Sequence, residues 1–346
     1  MLHIRFLALL AVFLLCLGTH APGSLAAPAP NAYLQARTLL DEQPYSSAAY
    51  EQAEELEQQL LKRDPKHAQA YALLARIEEH YGYQSGDDYE PESLTKAHAL
   101  VDMGLRLNPR LADLYVEKGF IYAYQRNFDE ARRMLKRARE LDPKHAGGGL
   151  LAAKIASLNG DEAEAFQHAM GVIRSTTYAP YQRRAYHYVA DYSETIGDLV
   201  TARRAYQNSM TLFPKDPWIK NNYSRFLRDA KQYDEAISIG EASKQLMDFG
   251  MIRHNLATAY QLRGYERLSK QKLYAKACED FKRSLENKPD PEVYYLLGWS
   301  LQQLAGQTQN YALLDQSEQA LRQALALNPK HQNAKTALDY QLKFKR

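Results

Sequence analysis

Eight times along this chain, an amphipathic stretch of helix-forming residues is brought to a halt at the same kind of site. The stops are Pro65, Pro109, Pro143, Thr177, Pro214, Asp248, Pro289 and Pro329, spaced by 44, 34, 34, 37, 34, 41 and 40 residues. Proline cannot continue a helix, because it lacks the amide donor and its ring clashes with the preceding turn. Twelve residues before the stops stand Ala53, Ala97, Ala131, Ala165, Ala202, Ala236, Ala277 and Ser317. Alanine at seven of eight places fixed by an independent marker is periodicity, not composition. Five residues before the same stops stand Leu60, Gly104, Ala138, Val172, Ser209, Ser243, Ser284 and Ala324, all but Leu60 small or modest in size. Small residues at a fixed phase let two helices approach closely, and larger neighbours such as Leu135, Tyr206, Phe281 and Leu321 fill the remaining space.

Each unit carries two helical patterns. In the clearest one, "ADLYVEKGFIYAYQ" sets Leu114, Lys118, Ile121 and Tyr122 along one side with Gly119 as the close-contact point. A turn at Arg126-Asn127 follows, and a second helix starts near Asp129, an acidic residue suited to a helix N-terminus. It stops before Pro143. One helical hairpin cannot bury its apolar face alone, so neighbouring units must stack.

Tyr115, Gly119, Tyr122, Ala131, Leu135, Ala138 and Pro143 of this unit resemble the tetratricopeptide repeat family, as do "NNYSRFLRDAKQYDEAI", "NLATAYQLRG" and "YYLLGWSLQQLAG" elsewhere. The resemblance covers about residues 33–346, as eight units and a last capping helix near Asn333–Phe344. It implies an all-α fold, an α-α superhelix, with residues 27–346 forming a single repeat domain. The family is a scaffold put to many uses, so the fold alone does not name a function. Several stretches depart from the pattern. Pro44 lies in the turn of a degenerate first unit, and "HAGGGLLAAK" opens a helix with three glycines, which costs helix stability. Insertions follow His80 ("YGYQSGDDYEPE"), Arg263 ("GYERLSKQKLYAK") and the region of "GQTQNYALLDQ". Each either lengthens a helix or forms a loop on one edge.

The N-terminus reads differently. Arg5 is followed by the apolar run "FLALLAVFLLCLG", too short to cross a bilayer comfortably, and then by small residues including Ser24 and Ala26. This is the pattern of a secretory signal peptide over residues 1–26, cut after about Ala26, which places the mature chain in the periplasm. An uncleaved inner-membrane anchor is the alternative. Lipid attachment at Cys16 is disfavoured by the bulky Leu15. No later run has membrane-spanning length. After cleavage Cys278 is the remaining cysteine, so an internal disulfide and a cysteine metal cluster are both excluded. The formal charge of +3 does not argue for nucleic acid.

Nothing in the sequence marks catalysis. The histidines form no H-E-x-x-H pattern. His67, His145 and His331 recur in "PKH" at the joints between units and read as turn residues that pack on the next helix. Gly147–Gly149 lacks the lysine and hydroxyl residue of a phosphate loop and reads as tight contact between units. "SGDDYEPE" lacks the alternating spacing of a calcium loop. The solenoid uses almost every mature residue, leaving no room for a separate catalytic domain, and no cofactor or metal is expected.

What remains is a surface. In a stack of helical hairpins the first helix of each unit lines the concave side. Its residues three, four and seven apart are Arg184, His187 and Asp191, then Trp218, Asn221, Asn222, Arg225 and Arg228, then Met251, His254, Asn255 and Thr258, and finally Tyr295, Trp299 and Gln302. The resemblance implies that Asn222 and Asn255 bond the backbone of a bound peptide while neighbouring arginines clamp a carboxylate. That is chemically sensible, since Asn offers both donor and acceptor and Arg forks onto carboxylates. The candidate peptide-binding residues are therefore Arg184, His187, Asn222, Arg225, Arg228, Asn255 and Trp299. The function expected is a non-catalytic periplasmic adaptor that binds a protein or peptide and supports an envelope assembly or export complex. The alternative is a scaffold of polysaccharide export that stacks its groove aromatics on sugar rings.

Overall fold

The computed structural model describes residues 32–85 and 88–344. The segment read as a signal peptide lies outside them. Eight helical hairpins and a last helix follow one another. They are α1 (Ala32–Glu42) with α2 (Ser47–Arg63), α3 (Ala68–Gly82) with α4 (Pro91–Leu107), and α5 (Ala112–Tyr124) with α6 (Phe128–Leu141). Next come α7 (Ala146–Leu158) with α8 (Glu162–Ser175), α9 (Ala179–Thr195) with α10 (Leu199–Leu212), and α11 (Pro217–Asp229) with α12 (Tyr233–Leu246). The last pairs are α13 (Gly250–Ser269) with α14 (Tyr274–Asn287) and α15 (Pro291–Thr308) with α16 (Leu313–Leu327), and α17 (Gln332–Phe344) closes the series. The fold is an all-α solenoid, as the repeat pattern predicts. The chain resolves into two compact units, one up to Ala202 and one from Arg203, the boundary falling within α10.

The joints are built from short-range chemistry. In Asp64-Pro65, Asn108-Pro109, Asp142-Pro143 and Asn328-Pro329 the side-chain oxygen accepts the amide of the residue two further on, at 3.0 to 3.2 Å. Such Asx turns hold the chain in place where proline has ended the helix. At Asp216-Pro217 and Asp290-Pro291 the aspartate caps the next helix and the proline takes its first position. Within the hairpins, the turn between first and second helix passes through positive φ at Arg126, Lys231, Lys272 and Gln309, and at Gly160 and Gly197. Glycine adopts that conformation without penalty; the other four positions carry local strain.

Packing follows the small-residue phase. All eight residues twelve places before the stops, from Ala53 to Ser317, are fully buried. The serines at these close contacts also bond across the hairpin: Ser243 Oγ donates to the Pro217 carbonyl (2.6 Å), Ser284 to Ala257 (2.8 Å) and Ser317 to Gly298 (2.8 Å). At Gly119, an added Cβ would stand 2.3 Å from Leu151 Cδ2, and at Gly149 2.6 Å from Val172 Cγ2. The glycines of α7 thus mark close approach. One position breaks the rule. Four residues after this fully buried small residue the units carry Val101, Leu135, Ala169, Tyr206, Gly240, Phe281 and Leu321, but the first unit carries Glu57, fully buried with neither carboxylate oxygen partnered among the described residues.

The insertions resolve both ways. The first makes a short antiparallel hairpin, β1 (Tyr83–Ser85) with β2 (Asp88–Tyr89). The other two lengthen first helices, α13 to 20 residues and α15 to 18. The joint histidines pack as expected but also pair. His145 Nε2 lies 3.1 Å from Asp113 and His331 Nε2 3.0 Å from Glu292, each bridging back to the first helix of the unit before. No helix among the described residues is long and apolar enough to cross a membrane.

Candidate partner-binding faces

In the unit up to Ala202, the first helices bring a connected set of charges and rings together. Helix α1 meets the start of α9: Arg37 Nε bonds the Tyr178 hydroxyl (3.0 Å) with its guanidinium over the ring, and Tyr178 donates to Asp41. Arg76 of α3 reaches the same Asp41 at 3.6 Å. On α5, Tyr124 stacks on Tyr89 with centroids 4.2 Å apart and lies under Lys154 of α7. Arg184 of α9 sits 4.7 Å above the Phe120 ring. Two acids share this face. Burial pushes the carboxyls of Glu79 and Glu117 up, with Glu117 adding to the rise of Glu79 and Asp113 to that of Glu117, while Arg76 and Arg184 hold both down in part. One oxygen of Glu79 has no hydrogen-bond partner among the described residues.

This alters the expectation for Arg184, which faces Phe120 and two acids of its own chain. His187, four residues from Asp191, pairs with it at 3.3 Å on an exposed edge. Nothing joins His187 to Arg184. Tyr124 is likewise held within the chain, stacked on Tyr89 with Lys154 over its ring. Sequence reasoning missed Arg76, Glu79 and Glu117. Their only signal is the spacing of Arg76 and Glu79 three apart on one helix, which many solvated faces share.

In the unit from Arg203, three of the candidate residues, Asn222, Arg228 and Asn255, do meet, through Asn221. Asn255 Nδ2 donates to Asn221 Oδ1 (2.8 Å) and its Oδ1 accepts from Arg228 (3.1 Å). Asn221 in turn reaches Asn222 at 3.5 Å, and Arg228 also pairs with Asp229. Asn255 is therefore buried and its amide is committed to a ladder between α11 and α13. Arg225 is half-buried, 3.6 Å from Asp229 and 3.4 Å from the Tyr206 hydroxyl. Trp299 stands apart on α15. The first helices α13 and α15 expose large apolar side chains: Met251 is 53% and Trp299 37% exposed. Gln302 is taken up by Gln341 and the Ala337 carbonyl of α17.

Among the described residues no cluster of His, Cys, Asp and Glu is placed to hold a metal ion. Cys278 is a buried free thiol, pushed up to about 11 by burial, the opposite of an activated nucleophile.

Comparison with known proteins bears on the family. A family model described as the pre-mRNA-splicing factor Syf1/CRNKL1 C-terminal HAT repeat matches residues 94–332. No curated protein matches the chain in sequence. Among solved structures, the chain is similar to the APC/C hetero-tetramer Cut9–Hcn1, with TM-score 0.53, 18% identity and 90% of this chain covered. This chain spans only 55% of that one. It is similar also to the C-terminal part of a TPR repeat-containing protein from Cytophaga hutchinsonii (TM-score 0.54, 12% identity, covering 79% of this chain and 99% of that one). A third is the IFIT1 monomeric mutant with Gppp-AAAA (TM-score 0.53, 14% identity, 86% and 71% covered). At these identities the likeness is one of fold.

Proposed function

The chain belongs to the HAT repeat family, a TPR-type family of paired-helix repeats, and on that premise we propose that it is a non-catalytic scaffold whose second unit binds a segment of a partner protein. The observation that carries this reading is the first-helix face of α11, α13 and α15. There Met251 and Trp299 remain exposed, on the two first helices that follow the α11 helix carrying half-buried Arg225 and Asn222. Exposed Trp, Met and Arg are the side chains enriched at the cores of protein interfaces. The Asn221–Asn255–Arg228 ladder stiffens the face and leaves its rim able to receive an acidic or carboxylate-bearing segment. We place the protein in the periplasm, as an adaptor in an envelope assembly or export complex, on the strength of the leader-like residues 1–26 alone.

The test is affinity purification from envelope extract with wild type, Trp299→Ala and Arg225→Glu. The reading expects a discrete co-purifying protein that both variants lose while their helical circular dichroism is unchanged. Recovery of the same protein by all three forms counts against the face, and recovery of none counts against the adaptor. A neutral glycan ligand would instead survive Arg225→Glu. Intact mass of the exported chain decides whether the leader is removed.

A further inference from the structure

A second surface stands out in the first unit, where α6, α7 and α8 line a groove of about 540 Å3. Its floor is apolar and almost closed to solvent: Leu135, Ala152, Ile155 and Ala156 are each less than 9% exposed. Its α6 rim carries Arg132, Lys136 and Arg139, all exposed. Arg132 is 3.5 Å from Asp129, whereas Lys136 and Arg139 have no ion pair or side-chain hydrogen bond among the described residues. The carboxylates nearby are engaged, Glu140 with Arg137 (2.9 Å) and Glu164 with His168 (3.4 Å).

The groove exists because one repeat lacks what its neighbours have. Counting from the fully buried small residue of a second helix, the side chains one and five places on are met by long side chains from the next first helix. On α4 these are His98 and Asp102, met by Tyr122 (3.1 Å) and Lys118 (2.7 Å) of α5. On α10 they are Arg203 and Gln207, both met by the Tyr223 hydroxyl at 3.1 and 3.4 Å. On α12, Glu241 is met by the Tyr260 hydroxyl at 2.9 Å. The places 34 residues after His98, Asp102, Lys118 and Tyr122 hold Arg132, Lys136, Ala152 and Ala156. Both bridging side chains are replaced by methyl groups, and at the place of Asp102, the acid that Lys118 meets, stands Lys136. The void and the unpaired positive charge arise together. An apolar slot of this size, rimmed by unneutralised cations, is complementary to one class of occupant.

We propose that this groove docks an acidic segment of a partner protein, whose single large apolar side chain fills the space over Ala152 and Ala156 while flanking carboxylates pair with Lys136 and Arg139. Arginine and lysine bonded to carboxylate at the edge of a desolvated apolar contact is a strong and specific arrangement. The site is separate from the face containing Trp299, so the two stand or fall independently.

The full chain is titrated with the fluorescein-labelled octapeptide EEDAWDEE, and with EEDAADEE, by fluorescence anisotropy. Saturable binding of the first peptide is expected, at least tenfold tighter than the second. Ala156→Tyr, which restores the plug of the α5 repeat, should weaken it at least tenfold. The double variant Lys136→Glu, Arg139→Glu alters only exposed side chains, so it tests the site even if Ala156→Tyr folds poorly; it should abolish binding and its salt dependence. Trp299→Ala should leave the affinity unchanged. No saturation by about 1 mM, or affinity untouched by the double variant, overturns the proposal. So does a concentration-dependent dimer, seen by sedimentation, that disappears in Ala156→Tyr, since the groove would then hold a second copy of this chain.

Discussion

Replacing Glu57 by leucine should stabilise the folded chain, and by more the higher the pH. Glu57 occupies the position where the later repeats place Leu135, Phe281 or Leu321, fully buried with no partner for either oxygen among the described residues. Burial pushes its carboxyl from an ordinary 4.5 to about 7. Between those two values the folded chain holds the proton and the unfolded chain has released it. Folding then takes up a proton, so stability falls as pH rises from about 4.5 and levels off above about 7. At about 1.4 kcal/mol per pH unit the gap corresponds to a loss of about 3 kcal/mol, most of it incurred between about pH 5 and pH 8. Glu57→Leu removes this loss entirely. The assay is urea unfolding of wild type and variant followed by the helical circular dichroism signal at both pH values. A repeat array does not have to unfold in one step, so the comparison is of the first transition in each case. The advantage of the variant should grow by about 2.5 kcal/mol from about pH 5 to about pH 8. The titration of His145 and Asp113, present in both proteins, cancels in the difference. An advantage that stays constant with pH, or a variant less stable than wild type at about pH 8, would refute the reasoning.

The remaining predictions concern the joints and the close contacts. Lys231, exposed with φ of 59°, should gain about 0.5–1 kcal/mol of stability on replacement by glycine, read as a rise in the urea midpoint. Gly119→Leu should cost at least about 2–3 kcal/mol, because its first carbon already falls 2.3 Å from Leu151 Cδ2; a neutral change would mean that the hairpins do not approach there. Asp280, buried on α14 and bonded to Arg263 (2.6 Å) and Arg267 (2.8 Å), should cost about 3 kcal/mol when replaced by alanine, since both cations lose their buried partner and keep only the exposed Asp234. Burial works against the charge of His145, but its bond to Asp113 outweighs that and raises its pKa, while the same bond lowers that of Asp113. The pair's contribution is therefore full between the two, lost as pH rises through the histidine and lost again in acid. His145→Gln should flatten stability on the alkaline side above about pH 6.5.

Much of the fold can be read from local chemistry. The residues from Ala53 to Ser317 announce where helices touch, and Asp-Pro or Asn-Pro pairs announce where they end, because both signals act within a few residues. The faces are harder. Asn221 and Asn222 are adjacent and equally polar, yet Asn221 is buried and bonds Asn255, so a periodic count cannot say which one meets a ligand. Arg184 was selected as a clamp by its place on α9, but its neighbour is Phe120, 64 residues earlier. That pairing depends on how three successive hairpins stack, which no window of sequence contains. The α6–α8 groove is a different case. Its cause, alanine at 152 and 156 where the preceding unit has Lys118 and Tyr122, is written in the repeat, but it becomes visible only once the partners of Lys118 and Tyr122 are known.

The central claim is that this repeat array acts by holding a partner against the first-helix face of its second unit. The most direct measurement is site-specific photocrosslinking in living cells, with benzoylphenylalanine in place of Trp299 and, as a control, of the exposed Glu286 on α14. The account predicts one discrete protein adduct from position 299, weakened by Arg225→Glu and absent from position 286. Identical adducts from both positions, or none from position 299, would contradict it.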